Sequence, residues 1–289
     1  MRTMNDVKVL DLSAWVEQAP AEYKDFREAV HLILQGVGQS KELHAKMVMK
    51  GGLLMAIRYE SSRFTRDIDF STSEKYQPGS EAALIEELDQ QLLAASDHLP
   101  YSTRCKIQSF EIRPKGEGKT HQSLKLKIGY ADSTSQRALQ RLQAKQSPLV
   151  VEIDYSYNEA VFDVEVFEIE EGVSLSTYSL HNVIAEKLRS LLQQPIRKRN
   201  RRQDVYDLHL LISSEIELQA ADLARIHGFF LDSCKSKGIT PEVNSMEQEV
   251  IVEMAHKDYD TLQDEVDGEL PEFDEAMKSV QGFYRSLPW

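Results

Sequence analysis

The sequence predicts an α/β protein whose first part mixes strands and helices and whose second part is helical. Short segments in which apolar residues alternate with polar ones recur as far as Tyr157, whereas apolar residues at helical spacing dominate from Leu180 onward. The length of 289 residues suits one large domain or two ordinary ones, and 41% hydrophobic residues can form a sizeable core. We therefore predict an α/β domain over residues 1–175 and a helical domain over residues 176–289.

The elements of the α/β part follow from the spacing of their apolar residues. The segment from Ser123 to Tyr130 shows this most clearly, because Leu124 and Leu126 point to one face of a strand and Lys125 to the other. A turn at 114–118 predicts a hairpin with the preceding strand. The same reasoning predicts helices at 22–46, 53–59, 81–95 and 136–145, and strands at 47–49, 64–71, 105–112, 123–130 and 149–157.

The second part reads as a series of helices. Pro195 ends the first of them, because the residue before a proline is biased away from helical backbone angles. The predicted helices lie at 180–194, 201–213, 219–236, 244–256 and 273–285.

The composition excludes several classes of protein. Cys105 and Cys234 are the only cysteines, so a disulfide scaffold and a zinc site built from thiolates are excluded. The longest apolar runs are shorter than the roughly 20 residues of a membrane span, and the N-terminal sequence lacks the apolar stretch of a signal peptide. We expect a cytoplasmic protein with no membrane partner.

The formal charge of −13 is unevenly distributed along the chain. Residues 241–289 hold 13 acidic and 3 basic side chains, whereas residues 197–202 hold five bases in six positions. An acidic surface repels phosphates, but a local basic strip can still meet RNA. The strip is either a solvated loop or an RNA contact, and the predicted contact residues are Arg197, Lys198, Arg199, Arg201 and Arg202.

Two glycines and two aspartates carry the most chemical information. Lys50-Gly51-Gly52 lies between a predicted strand and a predicted helix, where the backbone can approach a ligand and the helix N-terminus attracts phosphate. Asp67 and Asp69 are two apart on a predicted strand, so both carboxylates leave one face. Alone, the glycines also suit a turn and the aspartates a solvated strand edge. Together they favour a site in which a divalent cation bridges the carboxylates and a phosphate, and magnesium fits such a site best.

A third carboxylate on another strand would complete such a site. Glu152 and Asp154 alternate with Val151 and Ile153, so the two acids share a strand face. Either acid can approach the aspartate pair if the two strands are neighbours; otherwise both lie on an exposed acidic face. The residue pattern itself does not choose between Glu152 and Asp154.

Charged residues fall on the apolar stripes of two predicted helices. Lys187 lies within the stripe of the first, whereas Glu186 points away from it. Asp204 lies within the stripe of the next helix, with Asp207 at its margin. A charge that faces a core needs a partner. Lys187 and Asp204 therefore form a structural ion pair, or Lys187 contacts a substrate phosphate while Asp204 orients it or acts as a base; the pattern leaves both open.

Taken in order, these motifs resemble those of the AbiEii/AbiGii toxin family of nucleotidyltransferases, a branch of the DNA polymerase β-like superfamily. The resemblance spans residues 50–208, well over half of the chain, although Gly52 replaces a serine of the superfamily pattern and Leu53 stands where a threonine is common. The missing hydroxyl would have to come from Ser61, Ser62 or Thr65. The matching segments are KGGL at 50–53, RFTRDIDF at 63–70, VEI at 151–153, AEKL at 185–188 and DVYDL at 204–208.

The resemblance implies a minimal nucleotidyltransferase fold, which is a mixed sheet flanked by helices, followed here by a helical C-terminal half. It also implies roles for the residues that match. The implied nucleotide contacts are Lys50, Gly51, Gly52, Thr65, Arg66 and Lys187. The implied ligands of Mg²⁺ or Mn²⁺ are Asp67, Asp69 and Glu152, and the implied catalytic residues are Asp67, Asp69, Lys187 and Asp204.

The function implied by the resemblance is that of a toxin. Family members belong to type IV toxin–antitoxin or abortive-infection systems, and some transfer nucleotides to tRNA acceptor ends. We therefore predict a magnesium-dependent enzyme that transfers NMP from an NTP to tRNA or another RNA, with a cognate antitoxin as partner. Two alternatives use the same residues: a metal-dependent nuclease, or a non-catalytic RNA- or protein-binding member of the fold.

Overall fold

A computed structural model describes residues 9–116, 119–214 and 216–289 of the chain. These residues fold into two units. The sheet unit consists of residues 9–57 and Arg66–Thr177, and the helical unit consists of Arg58–Thr65 and Tyr178–Trp289. The predicted α/β class with a mixed sheet is confirmed. The short segment Arg58–Thr65 groups with the helical unit although it lies between two elements of the sheet unit in sequence.

The sheet unit is built on a seven-stranded mixed sheet with the strand order β3-β4-β5-β2-β1-β7-β6. The strands are β1 (Val48–Lys50), β2 (Asp67–Ser71), β3 (Thr103–Arg113), β4 (Ser123–Asp132), β5 (Val150–Ser156), β6 (Val164–Glu170) and β7 (Val173–Tyr178). Pairing is antiparallel for β1 with β2, β3 with β4 and β4 with β5. It is parallel for β2 with β5 and for β1 with β7. The site described below lies on the central strands.

Helices cover one face of this sheet because alternate residues of the central strands are apolar. Ile68, Phe70 and Ile153 are at most 1% exposed, and the helices that pack on the sheet supply apolar residues to the same core. The helices of the sheet unit are α1 (Leu12–Glu17), α2 (Lys24–Gln39), α3 (Lys41–Lys46), α4 (Gly51–Arg58), α5 (Ser80–His98) and α6 (Gln136–Gln143). Of these, α2 packs against β3, β4 and β5, and α5 packs against β3.

The single helix predicted at 22–46 is wrong in one respect, because the helix is interrupted at Ser40. That residue is extended, with φ −83° and ψ 118°, and its hydroxyl accepts a hydrogen bond from Leu43 N at 3.3 Å. Ser40 thereby ends α2 and caps α3.

The predicted β3–β4 hairpin is confirmed by antiparallel pairing from Thr103–Asp132 to Arg113–Ser123. Part of its predicted turn, residues 117 and 118, lies outside the described residues. The sequence analysis does not predict strands β6 and β7.

The helical unit contains α7 (Leu180–Leu192), α8 (Gln194–Arg197), α9 (Arg202–Ser213), α10 (Ala220–Ser236), α11 (Glu249–His256) and α12 (Phe273–Ser286). Helix α7 is the central element, since it packs against both α9 and α10. It ends at Leu192 rather than at the predicted residue 194. The predicted reason for its end is wrong, because Gln194 is helical and begins α8, and Pro195 lies in the first turn of α8, a position that proline tolerates well. None of the helices formed by the described residues is both long and apolar enough to cross a membrane.

Candidate functional site

The four acids singled out by the sequence lie side by side on two neighbouring strands. Strand β2 pairs in parallel with β5, and the register places Asp67 beside Glu152 and Asp69 beside Asp154. Paired residues of neighbouring strands project from the same face. The condition that the two strands be neighbours is therefore met, and we call this side of the sheet the carboxylate face.

Two lysines of β4 neutralise the acids of β5. Lys125 Nζ lies 2.8 Å from Asp154 Oδ2, and Lys127 Nζ lies 3.1 Å from Glu152 Oε1. Although partial burial disfavours the ammonium of Lys125, its hydrogen bond to Asp154 and the carboxylate charge outweigh that effect and raise its pKa. The carboxylate face thus carries two acids of β2 and two acid–lysine pairs.

The surroundings of Glu152 and Asp154 differ. The side chain of Glu152 is 44% exposed, whereas that of Asp154 is 30% exposed. Asp154 Oδ1 is buried and accepts no hydrogen bond from any residue that the structure describes. A buried carboxylate oxygen without a donor is costly unless a cation or a proton satisfies it.

The acids fit a magnesium ion that also uses substrate oxygens. Within residues 9–116, 119–214 and 216–289, no three His, Cys, Asp or Glu side chains form a group that could enclose a metal ion. Magnesium, however, keeps several waters and is commonly held by one or two carboxylates together with phosphate. Asp69 with the unsatisfied oxygen of its neighbour Asp154 matches that kind of partial ligand set.

The glycine loop lies directly against Asp69. Gly51 follows β1 and begins α4, and Lys50 at the end of β1 pairs with Asp69 across the strands. Gly51 has a φ of +75°, and a Cβ atom built on it would lie 2.0 Å from Asp69 Oδ2. Only glycine allows both the backbone angle and this approach. The glycine is therefore required by the aspartate, whichever ligand the loop binds.

The positions around the missing hydroxyl are partly explained. Leu53 is 1% exposed and contributes to the core, so a polar residue there would lose apolar burial. Ser62 shares a hydrogen bond of 3.2 Å with the Tyr206 hydroxyl, and Ser61 Oγ accepts one from Arg63 N at 3.4 Å. Thr65 is half-buried.

In the helical unit, Lys187 is held between two aspartates. Its Nζ donates to Asp207 Oδ2 at 2.6 Å and to Asp204 Oδ1 at 3.1 Å. Arg63 also binds Asp207: its Nε and Nη2 donate hydrogen bonds of 3.2 Å to the two carboxylate oxygens. We call Arg63, Lys187, Asp204 and Asp207 the buried ion cluster. The Lys187–Asp204 ion pair predicted from the helical stripes is present.

The position expected for Asp207 at the margin of its stripe is wrong. Asp207 is 1% exposed and accepts from both cations, whereas Asp204 is 9% exposed. The sequence does not predict the pair between Arg63 and Asp207, because these two residues are 144 positions apart in the chain. The one available signal was the spacing of Asp204 and Asp207, since residues three apart lie on the same side of a helix.

Within the buried ion cluster, Lys187 and Asp207 each favour the charged form of the other. Burial opposes the charge of Asp207, but Lys187 and Arg63 outweigh it and lower the pKa of that carboxyl. Burial likewise opposes the charge of Lys187, but Asp207 and Asp204 outweigh it and raise the pKa of the ammonium. Lys187 is thus a fixed cation rather than a base at neutral pH.

The predicted RNA-binding strip separates into two parts. Arg197, Lys198 and Arg199 are exposed. Arg201 Nε lies 4.0 Å from Asp204 Oδ2, and Arg202 Nη2 lies 2.7 Å from Glu265 Oε1. The last two bases are therefore matched by acids of the helical unit.

A comparison with protein families finds one decisive similarity. Residues 33–279 match the family described as "Nucleotidyl transferase AbiEii toxin, Type IV TA system". The chain belongs to the AbiEii family. The matched range contains every predicted site residue from Lys50 to Arg202. The AbiEii family is one of nucleotidyltransferase toxins of type IV toxin–antitoxin systems, so membership supports a transferase and implies a cognate antitoxin.

Other comparisons add no assignment. No curated protein sequence matches the chain significantly. Among solved structures, JHP933 from Helicobacter pylori has a TM-score of 0.49 and 13% identity, and the alignment covers 93% of each chain. A candidate nucleotidyltransferase from H. pylori has a TM-score of 0.48 and 12% identity over 93% of this chain and 96% of that one.

Proposed function

We propose that this AbiEii family member is a magnesium-dependent nucleotidyltransferase that transfers NMP from an NTP to tRNA or another RNA. The observation that carries the proposal is the pairing of Asp67 and Asp69 with Glu152 and Asp154 on one face of the sheet, where Asp69 lies against Gly51. Carboxylates beside a glycine that begins a helix suit a cation bound together with a phosphate.

In this proposal, Asp67, Asp69 and a carboxylate of β5 hold Mg²⁺, which Mn²⁺ can replace. The bound ion would neutralise phosphate charge and make the acceptor hydroxyl easier to deprotonate. Lys50, Gly51 and Gly52 approach the phosphates through backbone N–H groups at the start of α4, with Thr65 and Arg66 as further nucleotide contacts. The roles assigned by the resemblance to Lys187, as a triphosphate contact, and to Asp204, as a catalytic or positioning group, stay predictions.

The setting that we propose is the bacterial cytoplasm, where the protein acts as the toxin of a type IV toxin–antitoxin or abortive-infection system and a cognate antitoxin counteracts it. Expression of the wild-type chain should then arrest growth, whereas the Asp69→Asn variant should not.

The first experiment is an incubation with magnesium, total bacterial tRNA and each α-labelled NTP in turn. Label should reach tRNA with the wild type and not with Asp69→Asn, because the variant removes a charged metal ligand. Asp97→Asn, an exposed aspartate of α5, is the matched control and should be fully active. Label on a protein would still indicate nucleotide transfer, but with a protein instead of tRNA as the acceptor.

Other outcomes of the same incubation identify the alternatives. Full transfer by Asp69→Asn would refute the proposed site. RNA loss without NTP would indicate the metal-dependent nuclease. NTP binding without pyrophosphate release would indicate a non-catalytic binding module, the alternative suggested by the absence of a loop hydroxyl at Gly52 and Leu53.

The same assay decides which acid of β5 completes the metal site. The sequence resemblance favours Glu152, whereas the unsatisfied Oδ1 and lower exposure favour Asp154. We expect Asp154→Asn to lose at least about 100-fold in transfer rate and Glu152→Gln to lose less than about tenfold, since loss of one metal-held charge costs several kcal/mol. Raised magnesium should partly restore Asp154→Asn. The reverse order of the two variants would assign Glu152 to the metal.

A further inference from the structure

Positive charge is concentrated in one part of the sheet unit that the sequence reasoning did not single out. Residues 104–145, which comprise most of β3, all of β4 and α6, hold ten basic and three acidic side chains, a net charge of +7 in a chain whose total is −13. We call the bases of this segment the basic surface. A charge of this size on 42 residues is expected to attract polyanions even though the whole molecule is acidic.

The basic surface extends along the carboxylate face. In β4, Lys125 and Lys127 lie opposite the two acids of β5. In β3, Lys106 pairs with Gly129, which is two residues from Lys127 and so shares its face. Arg113 pairs with the residue two positions before Lys125 and lies on that face as well. The bases thus follow the strands on the same side as the proposed metal ligands.

The chain that follows α6 lies over this same face. Gly129 lies on the carboxylate face, and a Cβ atom built on it would lie 2.6 Å from Gln108 Cδ. The side chain of Gln108 therefore covers Gly129 on that face. Gln108 in turn accepts from Ser147 N at 2.7 Å and donates to Ser147 O at 3.1 Å. Helix α6 packs on β3 and β4 and adds the exposed bases Arg137 and Arg141, followed by Lys145.

Several of these bases have no acidic partner among the residues that the structure describes. Among the described residues, no carboxylate lies within 4 Å of a basic nitrogen of Lys106, Arg137, Arg141 or Lys145. The bases Arg201 and Arg202 of the helical unit, by contrast, have acidic partners. A base that has no acidic partner in the protein is available to contact a phosphate of a ligand.

The composition of the surface fits phosphate better than a protein partner. Phe110 is the only large apolar side chain exposed among the described residues of 104–145. It pairs with buried Leu126 and so lies on the opposite face of the sheet. A protein interface needs an apolar centre, whereas a nucleic-acid backbone is held by spaced bases alone.

We propose that the basic surface binds the phosphate backbone of the RNA acceptor. The identity of the RNA as acceptor rests on the proposed function, but the binding itself does not. Chemically, Lys106, Arg137, Arg141 and Lys145 contact phosphates, while the carboxylate face stands next to them on the same side of the sheet.

The test is the binding of fluorescently labelled total bacterial tRNA to the full chain, titrated at several salt concentrations. All variants carry Asp69→Asn, so that no transfer takes place during the titration. The test variant is Arg137→Gln/Arg141→Gln/Lys145→Gln. The matched control, Lys235→Gln/Lys257→Gln/Lys278→Gln, removes the same charge from exposed lysines of the helical unit. Equal urea midpoints establish that the variants are folded.

The test variant should bind tRNA roughly tenfold more weakly near 0.1 M salt, and the slope of log K against log salt should become shallower by about two, since each lost contact to a single strand removes about 0.7. The control should bind like the parent. A third variant, Arg197→Gln/Lys198→Gln/Arg199→Gln, tests whether the predicted RNA-binding strip at 197–202 binds the tRNA instead.

Three results of the tRNA titrations would overturn the inference: unchanged affinity and slope in the test variant, an equal loss in the control, or a loss confined to the variant of residues 197–199. Binding of poly-glutamate without binding of tRNA would also overturn it and assign the surface to an acidic protein. Salt-dependent tRNA binding that fails only in the test variant supports it. That result stands even if label transfer is never observed, so the inference and the proposed function fail separately.

Discussion

Asp207 is the residue on which the buried ion cluster depends. It is the partner of both Lys187 and Arg63, and it is almost completely buried. Removing one partner from a buried charge pair is far more costly than the pair's net contribution, because the remaining charges stay buried without compensation. The cluster therefore makes Asp207 important for stability independently of any role of Lys187 in catalysis.

We expect Asp207→Asn to lower the free energy of unfolding by about 3–5 kcal/mol, measured by urea denaturation at neutral pH. Asp97→Asn should stay within about 0.5 kcal/mol of the wild type, as exposed substitutions usually do. An Asp207→Asn midpoint equal to that of the wild type would show that the cluster does not hold the helical unit together.

The same cluster sets the direction of the pH dependence. The folded pKa of Asp207 is lowered, so its stabilisation is complete above the unfolded pKa of about 3.9 and is lost as pH falls through the folded value. The folded pKa of Lys187 is raised, so its stabilisation is complete below about 10.4 and is lost as pH rises through the folded value. In Asp207→Asn, the loss of stability in acid should therefore be smaller.

At the site, the sequence identified individual residues better than their partners. The spacing of Asp67, Asp69, Lys187 and Asp204 predicts which face of its element each residue occupies, whereas the spacing of Glu152 and Asp154 places both on one face without choosing between them. The pair between Arg63 and Asp207 could not be predicted in this way, since strand and helix periodicity says nothing about residues 144 positions apart. The roles predicted for these residues in catalysis stay predictions.

Among the elements, one short strap links the start and the end of the helical unit. Arg63 forms an antiparallel bridge with Val266, and Phe64 N donates to Glu265 O at 2.6 Å. Glu265 also pairs with Arg202 at 2.7 Å and with Arg63 at 3.7 Å. Part of the acidic end, which sequence reasoning left unexplained, thus anchors the segment that precedes the Asp67-Ile68-Asp69 strand.

We expect a double-mutant cycle of Arg202→Gln and Glu265→Gln to give a coupling energy of about 0.5–1 kcal/mol, because both side chains are partly exposed and solvent screens the pair. The free energies of unfolding of the two single variants and the double variant supply the measurement. A coupling of zero would mean that the Arg202–Glu265 pair does not stabilise the strap.

Hydrophobic periodicity predicted most of the elements, and strand β6 and the N-terminal helix show two ways in which it fails. In β6, Val166 is exposed and the adjacent Phe167 is buried, so two apolar residues in succession interrupt the alternation. Ser40 breaks the long N-terminal helix, although the apolar spacing continues across it, because its hydroxyl offers a cap to the next turn. A hydrophobic pattern does not reveal where a side chain such as Ser40 competes with the helix for backbone hydrogen bonds.

For the whole molecule, the net charge conceals the distribution that matters. A total of −13 argues against RNA, yet it is the sum of a basic segment at 104–145 and a strongly acidic remainder. The net charge of the whole chain therefore gives no sign of the basic segment at 104–145. The strip at 197–202 is recognisable in the sequence because its bases are nearly consecutive. Bases distributed over two strands and a helix become a surface only in the fold.

The two cysteines offer a probe of each unit, since Cys105 lies in the sheet unit and Cys234 in the helical unit. Burial raises the pKa of both thiols, that of Cys234 to about 12. Because the thiolate is the reactive form, neither should react with a disulfide reagent at about pH 8 in the native protein. Both should react in urea, and Cys234 should do so at lower urea in Asp207→Asn. Rapid labelling of either native thiol would contradict this.

The helical unit is discontinuous in the gene. Within the described residues, the chain passes between the units after Ile57, after Thr65 and after Thr177, so the eight-residue segment Arg58–Thr65 is separated from Tyr178–Trp289 by more than a hundred positions. A fragment that begins at Tyr178 would carry Lys187 and Asp207 but not Arg63. Recombination at a single crossover therefore cannot exchange this unit intact between relatives, and the two units are expected to be inherited together.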